Sequence, residues 1–468
     1  MKTAIVWFRR DLRLSDNPAL TAAVAAGGGD VVATFIIDPS LLASVGPPRA
    51  AYLAATLDAL NASLEGALVL RVGAPEVALA ELARDVGATQ IFATADFAPR
   101  GRQRDTAVQA ALAAGGITVH FLDSPYVVTP GTVVTKAGTP SKVFTPFRKY
   151  WELEPRPALL PAPTAVTWRR VEGATTSAIV THAATKRPAY FGDLPDTIPA
   201  FDPRVGEVGA QQLLDEFLAA VPAYDEQRNI PGISGTSRLS PHLRFGTIHP
   251  RQILARTDGT SRGSEVFRSE IAWREFYADV LWHNPESTWQ VLQPKMAALE
   301  VDTDEAAIAR FQTWARGETG YPMVDAGMRQ LLAEGWMHNR VRMITASFLV
   351  KHLHLDWRWG AQWFLWRLID GDVASNQHGW QWTAGTGTDA SPFHRVFNPT
   401  LQAERFDPDG AYVKRWIPAL AAVPAPDCLQ PGGGEGLLAP AGYVAPMIDA
   451  HAERDEALRR FATVREQA

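Results

Sequence analysis

A chain of 468 residues with 46% hydrophobic content, a formal net charge of −5 and one cysteine, Cys428, is long enough for two globular cores. A single thiol excludes an internal disulfide framework and any four-cysteine zinc or iron–sulfur site within the chain, and the slightly acidic balance excludes general coating of polyanions. No run is long or apolar enough to span a bilayer and MKTAIVWFRRDLRLSD lacks signal-peptide order, so a cytoplasmic protein without a membrane partner is expected.

Short apolar runs at 3–8, 31–37, 68–72, 90–94 and 118–122 predict buried strands, and helical periodicity covers 51–64, 76–86 and 102–114 between them. Asn17 followed by Pro18 supplies an N-cap and first-turn proline for a further helix. Strands alternating with helices of that length predict a doubly wound, mostly parallel, Rossmann-like sheet over residues 1–130. Gly27-Gly28-Gly29 follows a helix rather than a strand and lacks phosphate-binding spacing, so it reads as a plain turn. Residues 131–204, rich in Pro, Thr and Ala with little periodicity, read as an interdomain connector. Residues 205–468 read as an all-α domain, with breaks at Pro241, Pro285, Pro322 and Gly335 and a final charged helix at 450–464. The fold class is thus α/β plus all-α.

Of 15 tryptophans, all but Trp7, Trp151 and Trp168 lie from Trp273 to Trp416, which points to one indole-rich C-terminal domain. Chemistry concentrates in residues 369–399, IDGDVASNQHGWQWTAGTGTDASPFHRVFNP. Asp370, Asp372, Asn376 and Gln377 stand directly beside Trp380 and Trp382, and buried polar groups cost free energy unless something satisfies them, so a flat, hydrogen-bonding cofactor or a stacked base is implied. Asp370-Gly371-Asp372 is no calcium loop, because Ala374 stands where the next ligand belongs and no bidentate Glu follows. His338, His352, His354, His378 and His394 form no ligand spacing, so no metal is expected. Arg342 is a natural partner for the two acids.

The hexapeptide GTSRLS at 235–240 offers hydroxyls and successive backbone N–H groups able to hold a phosphate, although an ordinary capped helix start has the same composition. Tyr224 and Arg228 precede it on one helical face. Glu270, Trp273, Arg274 and Tyr277 fall at i, i+3, i+4 and i+7, where a core Trp beside a surface ion pair is the plainer reading; Asn339, Arg342, Met343 and Ala346 repeat the pattern. Trp357, Trp359, Trp363 and Trp366 form either a core stripe or a path for electrons. Interleaved arginines, some of them solvated surface, could supply phosphate contacts from one rim.

VWFRRDLRLSDNPAL, GTSRLSPHLRFG, EIAWREFY, TGYPMVDAGMRQLLAEGWMHNRVRMITASFLVK and DGDVASNQHGWQWTAGTGTD together resemble the DNA photolyase and cryptochrome family over nearly the whole chain, most closely class I cyclobutane pyrimidine dimer photolyases. The resemblance implies an antenna-binding domain at 1–130 and a helical FAD- and DNA-binding catalytic domain at 205–468. It implies light-driven repair by electron transfer from excited reduced FAD to a flipped-out dimer, with UV-damaged DNA as partner and a monomeric state. FAD contacts would come from Tyr224, Thr236, Ser237, Arg238, Leu239, Ser240 and Phe267, with Arg342, Asp370, Gly371 and Asp372 flanking the ring and Asn376 near flavin N5. Arg228, Glu270, Trp273, Arg274, Tyr277, Asn339, Arg340, Met343 and Trp382 match residues that meet the dimer and its DNA, and Glu270 would stabilise the dimer radical anion. Trp380 and Trp357 match the first two indoles of an electron relay; the third is missing near Asp304, with Trp359 or Trp363 as substitutes. DFAPRGRQRD at 96–105 resembles the segment of deazaflavin-binding members, so Asp96, Arg102 and Arg244 imply an 8-hydroxy-deazaflavin antenna, with methenyltetrahydrofolate or an empty site the alternatives, although Arg100 replaces an expected aromatic. A cryptochrome-type light-signalling flavoprotein and a 6-4 photoproduct photolyase are the rival readings. The latter carries a second histidine where this chain has Asn339.

Overall fold

A computed structural model describes residues 3–389, 395–433 and 442–466; His394 lies outside them. Five parallel strands, β1 (Ala4–Phe8), β2 (Asp30–Ile37), β3 (Val69–Val72), β4 (Gln90–Thr94) and β5 (Thr118–Leu122), hydrogen-bond in the order β3-β2-β1-β4-β5. Chain order therefore runs outward in both directions from the β1/β4 pair, as in a doubly wound sheet. All of β1 is buried, as its unbroken apolar run requires of a central parallel strand.

Helices Pro18–Gly27, Pro47–Ser63, Pro75–Val86 and Pro99–Ala114 join these strands, each with a proline in its first turn, where the missing N–H has no intrahelical partner to lose. That is why three of them begin one to four residues before the apolar periodicity does. The Asn17 side chain accepts from Leu20 N at 3.0 Å, and Gly28, at φ 57°, closes the first helix in the left-handed conformation, so the glycine triplet is a helix end.

Residues 131–204 are more ordered than a connector. β6 (Thr167–Trp168) pairs in parallel with β2, and the helix Phe144–Trp151 buries Phe144, Phe147 and Trp151. Two residues of strand and two turns of helix are too short to stand out in a Pro-rich background. Beyond them lie the helices that matter for the site: Ser240–Phe245, Arg262–His283, Asn339–Lys351, Trp357–Arg367 and Val373–Ala384. Among the described residues no helix is long and apolar enough to cross a membrane.

The chain gathers into two compact units. One comprises the chain up to Lys186 with Asp202–Pro222 and Ser237–Pro285, and the other Arg187–Phe201, Ala223–Thr236 and the chain from Glu286 onward. This division differs from boundaries at 130 and 204, and buried carboxylates explain it. Glu275 accepts from Val127 N at 2.5 Å, Val128 N at 3.0 Å and Trp151 Nε1 at 2.7 Å, while Asp279 accepts from Gly131 N at 2.7 Å. These bonds tie the helix Arg262–His283 to the α/β unit, although its sequence continues an all-α pattern.

Candidate functional site

Within the second unit, three helices enclose a cavity of about 150 Å³. Each starts on a side-chain cap: His338 accepts from Arg340 N, Asp356 from Arg358 N and Asp372 from Ser375 N. Nine of the residues singled out in the sequence line the cavity together, namely Asn339, Arg342, Met343, Ala346, Asp370, Gly371, Asp372, Asn376 and Trp380. Tyr224, Arg228, Thr236, Arg340, Trp357 and Trp382 belong to the same unit but do not line it.

Asp370, with only 2% of its side chain exposed, takes a bidentate bond from Arg342, Nη1 to Oδ1 at 3.2 Å and Nη2 to Oδ2 at 2.7 Å. Arg342 Nε donates to Met337 O at 2.7 Å, so the guanidinium is held on two sides. Asn376 Nδ2 donates to Ala361 O at 3.0 Å and to Gln377 Oε1 at 2.8 Å, which orients its amide. Trp380 meets Phe364 edge-on at 5.0 Å and Trp314 at 6.2 Å. Its ring lies so near Gly360 that a Cβ there would come within 2.1 Å of it, so this glycine serves close approach rather than a turn. Trp314 Nε1 donates to Thr345 O at 3.1 Å. Elsewhere in the unit, Arg228 lies over the Tyr224 ring at 5.7 Å, and Arg340 donates to Asn229 Oδ1 at 2.8 Å while lying over Phe406 at 4.5 Å. Trp357 is buried; Thr236 and Trp382 are half-buried.

His378, which sequence motifs leave without a role, is structural. Its Nδ1 donates to Ala374 O at 2.8 Å and its Nε2 faces the Ser287 hydroxyl at 3.0 Å, contacts that a neutral ring satisfies. Burial pushes His378, His352 and His242 each down to about 4 from 6.5. Folded-state values below the unfolded one mean that the stabilisation is complete above pH 6.5 and is lost as pH falls toward 4. Urea unfolding at pH 7.5 and pH 5.0 should differ by about 2 kcal/mol for each of these histidines. A flat profile across that window would contradict their burial in neutral form.

In the first unit, Glu270, Trp273, Arg274 and Tyr277 lie on the helix Arg262–His283, capped by Ser261. Trp273 stacks face to face on Phe144, and Tyr277 lies 5.5 Å from it. Arg274, half-buried, donates to Pro125 O and Leu243 O, both at 3.2 Å, and lies over Tyr126 at 4.5 Å, which fixes its guanidinium. Phe267 is buried against Phe217 at 4.5 Å. Ser237 Oγ accepts from Leu239 N at 3.4 Å, Arg238 takes the left-handed φ of 52°, Leu239 is buried and Ser240 opens its helix.

Near the carboxyl ends of β1 and β4, where a doubly wound sheet reverses direction and ligands commonly bind, charged side chains pair with one another. Arg9 donates to Asp105 and to Thr94 O, Thr94 Oγ1 to Asp11 at 2.6 Å, and Arg104 to Asp96 at 3.2 Å. Burial alone would raise the Asp96 carboxyl, but Arg10, Arg104 and Arg9 hold it below the usual range. Arg102 lies 3.8 Å over Trp282, and Arg244 5.5 Å from Phe245.

Comparison with known proteins places this geometry. Residues 4–165 match the DNA photolyase family and residues 267–463 the FAD binding domain of DNA photolyase. A deoxyribodipyrimidine photo-lyase of Agrobacterium fabrum (strain C58 / ATCC 33970) is 40% identical over 99% of either chain, and one of Vibrio cholerae serotype O1 is 40% identical over 98% of this chain and 99% of that one. The chain belongs to the DNA photolyase family. A bacterial class III photolyase from Agrobacterium tumefaciens superposes with a TM-score of 0.87 at 38% identity, covering 100% of this chain and 98% of its own. A cryptochrome from Synechocystis sp. PCC6803 superposes with a TM-score of 0.85 at 28% identity, over 98% and 99% of the two chains.

The cavity falls within the photolyase FAD-binding domain, and its residues fit a flat heteroaromatic ring. Phe364, Leu368 and Trp380 give apolar walls, the Arg342–Asp370 pair and Asn376 a polar edge, and at Gly379 a Cβ would meet nothing within 4 Å. Ser375, Gly379 and Thr383 also line it and were legible in principle, since with Asp372, Asn376 and Trp380 they repeat at helical spacing on one face. Phe364 and Leu368 carried no such signal, being ordinary apolar residues.

Proposed function

We propose that the protein is a deoxyribodipyrimidine photo-lyase that uses light to split cyclobutane pyrimidine dimers in UV-damaged DNA. The observation that carries this reading is the cavity in which Arg342–Asp370, Asn376 and Trp380 converge inside an FAD-binding domain. Bound in its reduced form, FAD supplies the photoexcited electron that opens the cyclobutane ring. Arg342 and Asp370 would hold the ring's polar edge, Asp372 and Gly371 shape the start of the helix Val373–Ala384, and Asn376 would present its amide. Tyr224, Thr236, Ser237, Arg238, Leu239, Ser240 and Phe267 are assigned to the rest of the cofactor. Trp380 and Trp357 are the indoles that would pass electrons to the cofactor once it is bound.

Glu270 is assigned to the pyrimidine edge, where a fixed carboxyl can hydrogen-bond the base and stabilise added charge. Trp273, Trp382, Met343 and Asn339 are assigned to the flipped bases and Tyr277 to their surroundings. Damage weakens stacking and pairing, which lowers the cost of extruding the dimer. Arg228, Arg274 and Arg340 are assigned to phosphates, a local contact set that a protein of net charge −5 needs. Asp96, Arg102 and Arg244 are assigned to an antenna chromophore, 8-hydroxy-deazaflavin or methenyltetrahydrofolate.

An oligonucleotide with one thymine dimer, incubated with purified reduced protein, should be repaired under near-ultraviolet or blue light and unchanged in the dark. Bound flavin without repair would overturn the proposal in favour of a signalling flavoprotein.

A further inference from the structure

In the first unit the helix Phe144–Trp151 lies along the helix Arg262–His283 through three aromatic residues at i, i+3 and i+7. Trp151 is fully buried, with Nε1 on Glu275; Phe147 packs on Phe276 at 5.3 Å; and Phe144 stacks on Trp273 with centroids 3.7 Å apart and planes within 8°. A near-parallel sandwich is less favourable between two rings alone than an offset or edge-on pair. The helix pair therefore imposes it. Phe276 stands edge-on to both rings, at 5.9 Å and 70° from Phe144 and 5.7 Å and 76° from Trp273, which keeps the stack from sliding. Trp273 thus has one face covered and its plane set, yet remains only half-buried.

Resting on the reading above, in which Trp273 meets the flipped dimer, we propose that Phe144 is a positioning residue for the dimer: it covers one face of Trp273 and aligns the opposite face as the platform for an extrahelical pyrimidine. An unsupported indole on a helix samples several rotamers, and ordering it on binding subtracts from the stacking energy. Backing it with a second ring removes that loss before the base arrives. The recognised chemistry is the π-face and apolar surface of a base, whereas hydrogen bonding to its edge falls to Glu270.

The test uses the full-length, flavin-loaded protein and compares Phe144→Leu, which keeps apolar bulk without a π-face, with Phe144→Tyr, which keeps the ring. For Phe144→Leu the Kd of a thymine-dimer oligonucleotide should rise about tenfold, given the usual worth of one base–aromatic stack. Affinity for undamaged DNA, flavin content, melting temperature and the repair rate at saturating substrate should stay near wild type, so that KM moves and kcat does not. Phe144→Tyr should restore dimer affinity. If Trp273→Ala weakens dimer binding but Phe144→Leu does not, the positioning role is overturned and the photolyase reading stands. If both variants bind the dimer as wild type does while repair proceeds, the assignment of Trp273 falls and Phe144 with it. Equal losses on damaged and undamaged DNA, or loss of flavin, in Phe144→Leu would mark a packing role only and overturn the proposal.

Discussion

Trp380→Phe should lose light-driven reduction of its bound FAD, down to the level of free flavin with the same external donor, yet repair dimers at near wild-type yield once reduced chemically. Trp380 is the only indole that lines the cavity among the described residues, so a hole created there has no equivalent first site. Phenylalanine keeps most of the apolar contact with Phe364 and Trp314 but is far harder to oxidise. Behind Trp380, the helix that carries Gly360 also carries buried Trp357, and Trp357→Phe should produce the same separation of reduction from repair. Flash-induced absorbance at the flavin bands reads the first quantity, and repair by dithionite-reduced protein the second. Normal photoreduction in Trp380→Phe would show that electrons enter by another route.

Asp370→Ala should cost about 3 kcal/mol of unfolding free energy and most of the bound FAD, because it leaves the Arg342 guanidinium without its bidentate acceptor next to a nearly inaccessible site. The low end of the range for broken buried pairs applies, since Arg342 keeps 24% of its side chain exposed and still donates to Met337 O. Asp370→Asn, similar in shape but uncharged, should fall between alanine and wild type. Denaturant unfolding with and without added FAD separates the two losses. A change below about 1 kcal/mol would place the pair with ordinary surface salt bridges and remove it from the cofactor site.

How legible was this site? Asp370, Asp372, Asn376 and Trp380 sit within eleven residues, and their polar and indole character conflicts with a plain core, so local chemistry announced them. Arg342 lies far off in sequence, but its charge made it the partner of choice, and the bidentate contact agrees. Arg274 shows what spacing leaves out. Its helical spacing with Glu270 and Trp273 read as a surface ion pair, while its guanidinium bonds two carbonyls from segments around residues 125 and 243 that no local pattern connects to it. His378 is similar, since Ser287 is 91 positions away and only the fold supplies it.

The sequence by itself determined the parallel strands, the helix that begins at Pro18 with its Asn17 cap and the composition of the cavity's polar edge, because these depend on steric and hydrogen-bonding preferences that act within about four residues along the chain. Only the tertiary structure decided which unit the helix Arg262–His283 belongs to and that Phe144 lies flat on Trp273. Those outcomes turn on Glu275, Asp279 and Trp151, which join segments more than 120 positions apart. A buried carboxylate must find its donors wherever the folded chain brings them.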